Sequence, residues 1–140
     1  MHGLYFDELS VGQTAETTHV VGAADIEAFA AVSGDVNPVH MDEAFAKTTP
    51  FGGRIAHGML AAAYISAVLG NQLPGPGAIY LSQSLRFRRP VRIGDVVRTK
   101  VSVVALDEAK AHVSLATVCS VGGKSVVEGE ALVMVSRRGG

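Results

Sequence analysis

The segment 57–70 constrains the fold more than any other part of the chain, because it is apolar almost all the way round. Its alanines favour a helix, and Gly70 is a residue with which helices commonly end. A helix without a polar face is predicted to be buried on every side. In a chain of 140 residues, such burial requires a sheet wrapped around the helix.

The C-terminal half has the period of strands. From Ala78 onward the hydrophobic period is two. The residues predicted to share one face of the first strand are Ile79, Leu81, Leu85 and Phe87. Three longer strands are predicted over 95–106, 109–121 and 124–136, with tight hairpin turns at Asp107-Glu108 and Gly122-Gly123. A long antiparallel meander of this kind can curl around one helix.

The N-terminal half is predicted to contain an edge strand over 14–21 and a helix over 23–33 that ends at Gly34. Asp42 is predicted to cap a short helix over 43–47, with Ala44 and Phe45 facing inward. The order of elements indicates one α+β domain over residues 1–140. Because such a sheet has open edges, an edge-to-edge homodimer is expected.

Asp35 and His40 lie on a six-residue stretch around Pro38. Pro38 and Gly34 predict that the preceding helix stops and that a stiff turn on irregular backbone follows. A carboxylate beside an imidazole can hold a water and move protons, which is worth about 10²–10⁴-fold in rate. The structural alternative is an aspartate that ends a helix and a histidine that satisfies a buried backbone group. Two titratable groups in one turn favour the functional interpretation.

The stretch 54–59 forms the entrance to the apolar helix. A helix N-terminus presents unpaired N–H groups, so the Gly58 N–H could bind a developing oxyanion. Alternatively, Gly58 only makes room for a neighbouring helix, and both interpretations stay open. Ser66 on the same helix could bond to the preceding turn. A nucleophilic triad with Asp35 and His40 lacks the Gly-x-Ser-x-Gly motif.

Metal binding is not predicted. The spacing of Asp35 and Asn37 suggests a calcium loop, but Pro38 and the missing glycine at the sixth position argue against one. His40 and His57 could join Asp35 as ligands, yet no element carries them at ligand spacing.

Charge and composition exclude several classes of partner. The formal net charge of −1 does not indicate nucleic acid or an anionic membrane surface. One cysteine excludes an internal disulfide, and no run of about 18 apolar residues predicts a membrane span. Residues 1–10 lack the features of a signal peptide, so a cytoplasmic location is expected. The basic cluster is mostly expected on a solvated face, with one or two members able to meet ligand phosphates: Arg86, Arg88, Arg89, Arg92, Arg98 and Lys100.

The stretch SGDVNPVH at 33–40 resembles the hydratase 2 signature of the MaoC-like, (R)-specific enoyl-CoA hydratases. The similarity extends through FGGRIAHGML at 51–60, LPG at 73–75, SLRFRRPV at 84–91 and GD at 94–95. The resemblance implies the hot-dog fold, a long central helix wrapped by a curved antiparallel sheet. It also implies a homodimer that supplies (R)-3-hydroxyacyl-CoA for polyhydroxyalkanoate synthesis.

By this resemblance, Asp35 and His40 form the catalytic pair, Gly58 supplies the oxyanion N–H, and Ser66 lies near the catalytic water. We expect further contacts with the substrate from residues beside the pair and at the helix entrance: Asn37, Arg54, His57 and Met59. The implied reaction hydrates trans-2-enoyl-CoA without a metal or redox cofactor. A hot-dog acyl-CoA thioesterase and a non-catalytic acyl-CoA-binding or dimerisation module remain alternatives.

Overall fold

The computed structural model describes residues 2–139. The strands are β1 (Thr14–Val20), β2 (Ile79–Gln83), β3 (Arg86–Phe87), β4 (Val96–Asp107), β5 (His112–Val121) and β6 (Lys124–Met134). The α-helices are α1 (Ala23–Ser33), α2 (Pro38–Met41), α3 (Glu43–Ala46) and α4 (Gly58–Asn71), and a short 3-10 helix spans Phe6–Glu8.

One antiparallel sheet carries the fold, with the strand order β1-β4-β5-β6-β2 and β3 paired to β6. The helix α4 packs on one face of this sheet, where Ile65 and Val68 are fully buried. Strand β1 is an edge strand, and β4, β5 and β6 form the predicted meander. The prediction of an α+β fold with a helix packed on an antiparallel sheet is therefore confirmed.

The prediction that α4 is buried on every side is wrong for the single chain. One face of the helix is exposed, and its members are Met59, Ala63, Ser66, Ala67 and Gly70. Most of these residues are small, so the sequence pattern of an all-apolar helix also suits a helix with one uncovered face. The sheet covers α4 from one side only.

The first strand after the apolar helix also differs from its prediction. It is divided into β2 and β3, and a register shift between Tyr80 and Ser82 leaves Leu81 without a partner on β6. Leu85 packs against the core, but Ile79, Leu81 and Phe87 are exposed. The expected alternation is interrupted because β2 contains a bulge and lies at the edge of the sheet.

The two hairpin predictions have different outcomes. Gly122 and Gly123 form a two-residue turn with φ of 57° and 79°. This turn is confirmed, since positive φ at both positions suits the twist of a hairpin. The turn at Asp107-Glu108 is longer than predicted and continues to Ala111, which has a φ of 55°.

The segment around Pro38 is more regular than predicted. Gly34 ends α1 in the left-handed conformation, with a φ of 79°, as expected. Pro38 then begins α2 instead of leaving irregular backbone, because proline lacks only an N–H that the first helical position does not use. Asp42 caps α3 as predicted, but the helix buries Ala46, whereas Ala44 and Phe45 are exposed.

Within residues 2–139, no helix has both the length and the apolar character needed to cross a membrane. The cytoplasmic location expected from the sequence stays a prediction.

Candidate active site

The Asp35 carboxylate, a ring nitrogen of His40 and a ring nitrogen of His57 converge at one point. All three atoms lie within 4.8 Å of one another. Asp35 is exposed, His40 is half-buried, and His57 is buried with 3% of its surface accessible. The structure therefore brings together the acid and the imidazole that the sequence suggested as a pair, and it adds a second imidazole beneath them.

Short-range hydrogen bonds hold Asp35 in place. The Ser33 hydroxyl donates to the Phe29 carbonyl and accepts from the Asp35 N–H. The Asp35 Oδ1 accepts from the Asn37 N–H at 3.2 Å, which leaves Oδ2 free of this bond. The Asn37 Oδ1 in turn accepts from the Val39 N–H and caps α2. The Asn37 amide oxygen thus holds the turn, as the resemblance also implies, and a contact of Asn37 with substrate stays a prediction.

A backbone contact orients the His40 ring. Its Nδ1 lies 2.8 Å from the Ile55 carbonyl oxygen. Because a carbonyl only accepts, Nδ1 carries a proton, and Nε2 is left as the ring atom that can exchange a proton. The Arg54 Nε donates to the His40 carbonyl at 2.6 Å. Arg54 therefore braces α2, and it does not line the cavity described below.

His57 is the residue just before α4 and supports both members of the pair. Its Nε2 lies 2.9 Å from the Asp35 carbonyl oxygen and donates to it. Its ring contacts the His40 ring in a tilted arrangement, with a centroid distance of 4.0 Å and an interplanar angle of 31°. This geometry lets His57 support the pair; its expected contact with substrate stays a prediction, since His57 also lines the cavity described below.

The convergence of Asp35, His40 and His57 has the spacing of a three-ligand metal site. Each histidine, however, already donates one N–H to a backbone carbonyl, at Ile55 and at Asp35. For His40 this bond leaves Nε2 free, as in many metal-ligating histidines, whereas Nε2 of His57 would have to give up the Asp35 carbonyl. The absence of a metal, expected from the sequence, stays a prediction.

The N-terminus of α4 lies beside the pair. Gly58 is its first residue, so its N–H is among those without an intrahelical acceptor. A Cβ at position 58 would lie 2.6 Å from two carbons of the Phe87 ring. The room that Gly58 provides is therefore for an aromatic side chain and not for the neighbouring helix considered from the sequence. An N–H that binds an oxyanion is compatible with this packing.

A cavity of about 400 Å³ opens beside the pair; His40 lines it, whereas Asp35 does not. It is lined by His40, Phe51, Ile55, Ala56, His57, Gly58, Met59, Ala61, Phe87, Arg88, Arg89, Pro90, Val91 and Val127. Met59, which is 53% exposed, lies where a substrate contact was predicted. An apolar cavity with an imidazole and a free helix N-terminus suits an acyl group with a polar head.

The structure does not bring Ser66 to this cavity. Ser66 lies eight residues beyond Gly58, which places it about 12 Å along the helix. It is on the exposed face of α4 and does not line the cavity. Its predicted catalytic role therefore has no support within one chain.

Phe87 is a site residue that the sequence analysis missed. It was predicted to share a strand face with Ile79, Leu81 and Leu85, and it is 56% exposed and covers Gly58. The available signal was its position between arginines, because an aromatic side chain flanked by charges on a short strand often lies at a surface. Its neighbours Arg88 and Arg89 also line the cavity.

Known proteins resemble this chain over most of its length. A family model described as a MaoC-like domain matches residues 8–124. An (R)-specific enoyl-CoA hydratase of Rhodospirillum rubrum is 53% identical over 135 residues, which cover 96% of this chain and 94% of that protein.

Solved structures of hydratases also resemble this chain. The R-hydratase PhaJ1 of Pseudomonas aeruginosa superposes with a TM-score of 0.92 and 49% identity, covering 97% of this chain and 88% of that one. The (R)-hydratase of A. caviae gives a TM-score of 0.89 and 51% identity, covering 91% and 97%. The predicted hot-dog fold is confirmed. This chain belongs to the MaoC-like family.

Proposed function

We propose that this protein hydrates trans-2-enoyl-CoA to (R)-3-hydroxyacyl-CoA, and catalyses the reverse dehydration. The observation that carries the proposal is the position of the Asp35 carboxylate and the His40 ring within 4.8 Å of each other, next to the N-terminus of α4. The 53% identity to an (R)-specific enoyl-CoA hydratase supports the substrate class and the stereochemistry.

The spacing of the pair suits one water molecule. A water that makes two hydrogen bonds of about 2.8 Å at a tetrahedral angle separates its two partners by about 4.6 Å. Asp35 and His40 would hold such a water and direct its oxygen to C3 of the substrate. The pair takes one proton from the water and delivers one to C2, so the net change is the addition of H and OH. Two coupled groups act here as a unit.

The Gly58 N–H stabilises the negative charge that develops during this reaction. As the water oxygen bonds to C3, the electron pair of the double bond moves toward the thioester carbonyl, whose oxygen gains negative charge. A helix N–H aimed at that oxygen stabilises the charge, and one such donor is worth about 10²–10³-fold in kcat. The thioester already acidifies C2, so no redox cofactor or metal enters this scheme.

Hydratase activity is expected to survive exhaustive treatment with a chelator, because no step of the proposed scheme uses a metal.

The CoA portion is expected to lie across the arginine-rich end of the cavity. Arg88 pairs with Glu128 at 2.6 Å, and the Arg89 Nη1 donates to the Ser125 carbonyl at 2.6 Å. Both side chains are thereby held at the cavity lining with their remaining N–H groups available. Guanidinium groups in fixed orientations suit phosphate binding.

One assay separates hydration from the thioesterase alternative. A hydratase removes the ultraviolet absorbance of the conjugated thioester without freeing thiol, whereas a thioesterase frees thiol from CoA. We expect loss of absorbance with crotonyl-CoA and longer 2-enoyl-CoA substrates, no thiol release, and the (R) product by chiral analysis. Stoichiometric thiol release would contradict the proposal.

Gly58→Ala is expected to lower kcat/KM by about 100-fold, because the methyl group displaces the thioester or Phe87 from the position beside the N–H, and a displacement of 1 Å can cost that much. The fold should survive, since Phe87 is a side chain at the surface that can move. Steady-state kinetics and circular dichroism measure both effects.

Gly70→Ala is the matched control, because it adds the same methyl group to the same helix where no atom lies within 4 Å. Alanine should stabilise α4 at this position by up to about 1 kcal/mol and leave kinetics unchanged. Equal kinetic losses in the two variants would show that Gly58 has no special role.

We further infer that the protein forms a homodimer through the free edge of β2. Among the residues that the structure describes, this strand pairs with β6 alone, and its apolar residues Ile79, Tyr80 and Leu81 are exposed. A two-fold symmetric pair of β2 strands would extend the sheet and cover these side chains.

Leu81→Lys is expected to convert the dimer to a monomer, because two-fold symmetry brings two new charges close together across the shared edge. Light scattering should give a mass near the 14.5 kDa of one chain instead of twice that value. Val104→Lys is the control: Val104 and Leu81 are both 43% exposed and both lie at a register shift, but β4 is flanked by β1 and β5. A monomeric wild type, or dimers with both variants, would contradict this interface.

A further inference from the structure

A second, much smaller cavity lies under the active site, between α4 and the strands that end near it. Its volume is about 10 Å³, and His57 and Tyr64 line it together with apolar residues such as Val21, Leu60 and Val97. Two polar side-chain atoms at this cavity are buried and have no hydrogen-bond partner among the described residues: His57 Nδ1 and Tyr64 Oη. The other side chains around it are apolar.

The two atoms have complementary hydrogen-bonding roles. His57 donates its Nε2–H to the Asp35 carbonyl, so Nδ1 of the neutral ring is an acceptor. Burial, with a smaller contribution from Asp25, raises the pKa of Tyr64 to about 12. The Tyr64 hydroxyl therefore keeps its proton and is a donor. One acceptor and one donor face the same small space.

We propose that a single buried water links the Tyr64 hydroxyl to His57 Nδ1 and thereby fixes the His57 proton on Nε2, where it holds Asp35. The water accepts from Tyr64 and donates to Nδ1. A cavity needs about 10–15 Å³ to hold one water, which typically makes two to four hydrogen bonds. The cavity volume of about 10 Å³ meets the lower limit for one water, and the two polar atoms meet the lower limit of two hydrogen bonds.

The surroundings of Tyr64 hold its ring in position for this link. The His19 ring stacks on it with a centroid distance of 4.6 Å and an angle of 25°. The His19 Nε2 lies 3.4 Å from the Asp25 Oδ1. Asp25 on α1 thus holds the His19 ring of β1 against the Tyr64 phenol. Tyr64 follows His57 by seven residues, or about two helical turns, which places both residues on one side of α4.

The link matters because His57 supports both members of the reactive pair. If its proton moved to Nδ1, the Nε2 lone pair would face the Asp35 carbonyl oxygen, and the turn that carries Asp35 would shift. The adjacent His40 ring would shift with it. Tyr64 and His57 are thus positioning residues. The kinetic effect of changing Tyr64 or His57 rests on the proposed hydration, whereas the position of the His57 proton does not.

The first test observes the proton directly. In protein with ¹⁵N-labelled histidine above about pH 8, well above the ordinary histidine pKa of about 6.5, two-bond correlation spectra distinguish protonated from unprotonated ring nitrogens. We expect His57 to carry its proton on Nε2, with the Nδ1 signal moved in Tyr64→Phe toward that of a nitrogen without a donor. His57→Gln assigns the signals. A proton on Nδ1 in the wild type, or identical spectra for wild type and Tyr64→Phe, overturns the proposal.

The second test locates the water. A crystal structure at high resolution should show one ordered water within hydrogen-bonding distance of both Tyr64 Oη and His57 Nδ1. An empty cavity, or direct contact between the two atoms, overturns the bridge. The position of the His57 proton and the ordered water are both observed in the wild type, so these two results can be obtained even if Tyr64→Phe does not fold.

The third test is kinetic. Removal of one hydrogen bond predicts a fall in kcat of up to about 10-fold for Tyr64→Phe, with KM little changed, since Tyr64 does not line the substrate cavity. Tyr5→Phe is the matched control, because that ring also stacks on a histidine, His2, at 4.1 Å in the N-terminal segment. Unchanged kcat in Tyr64→Phe overturns the positioning role. If the wild type shows the expected spectra but no hydration, only the proposed function fails.

Discussion

Asp35→Asn is expected to lower kcat for enoyl-CoA hydration by about 10²–10⁴-fold, the range of general acid–base catalysis. The amide oxygen can still accept the Asn37 N–H, as the Asp35 Oδ1 does at 3.2 Å, so the turn should persist. The negative charge and the proton acceptor are lost. Because Asp35 is exposed, its replacement should not disturb the core.

Asp42→Asn is the matched control for this substitution. The Asp42 Oδ1 also accepts a backbone N–H, from Phe45 at 3.2 Å, and caps α3 a few residues away. This variant should keep full activity. Turnover of Asp35→Asn equal to the wild type would exclude Asp35 as a catalytic group, and no turnover by either protein would favour a non-catalytic acyl-CoA-binding module. Loss of activity through unfolding, detected by circular dichroism, would mark Asp35 as structural.

His40→Ala is expected to lower kcat by a similar factor, because the ring Nε2 is the only other proton carrier of the pair. Alanine also removes the contact with Ile55 and the ring contact with His57, so a second variant is needed. In His40→Asn the side-chain amide can still donate to the Ile55 carbonyl. Equal losses in both variants would assign the effect to Nε2.

Two further variants serve as comparisons for the His40 substitutions. His112→Asn replaces a histidine at the start of β5 that does not line the cavity, and it should leave kcat unchanged. Ser66→Ala should cost less than either change at the pair, since Ser66 lies outside the cavity. A His40→Asn variant with wild-type turnover would exclude the ring as a catalytic group.

The sequence predicted those parts of the fold that depend on local patterns. The two-residue period identified β4, β5 and β6, and glycine identified the end of α1 and the turn at Gly122-Gly123. It could not predict which side of β2 or α4 stays uncovered. An apolar side chain such as Leu81 has the same pattern whether it faces its own core or a second chain.

The same distinction applies to the site. Asp35 and His40 are five residues apart, so their proximity could be inferred from one turn. The bond from His57 to the Asp35 carbonyl joins residues 22 positions apart, and the contact of Phe87 with Gly58 joins a strand to a helix. Arg54 was expected at the substrate and instead braces α2. Contacts of this kind depend on tertiary packing that no periodicity encodes.

Hydrogen bonds from His40 and His57 join the turn that carries Asp35 to the segment that leads into α4. His40 donates to Ile55, just before α4, and His57 donates back to Asp35, just before α2. Asp35, His40 and the segment that leads into α4 are therefore joined directly to one another by these two bonds. Phe51 and Val127 line that cavity but make neither bond. Under the proposed function, substitutions at these two positions are expected to change the preferred acyl length with little effect on the positions of Asp35 and His40.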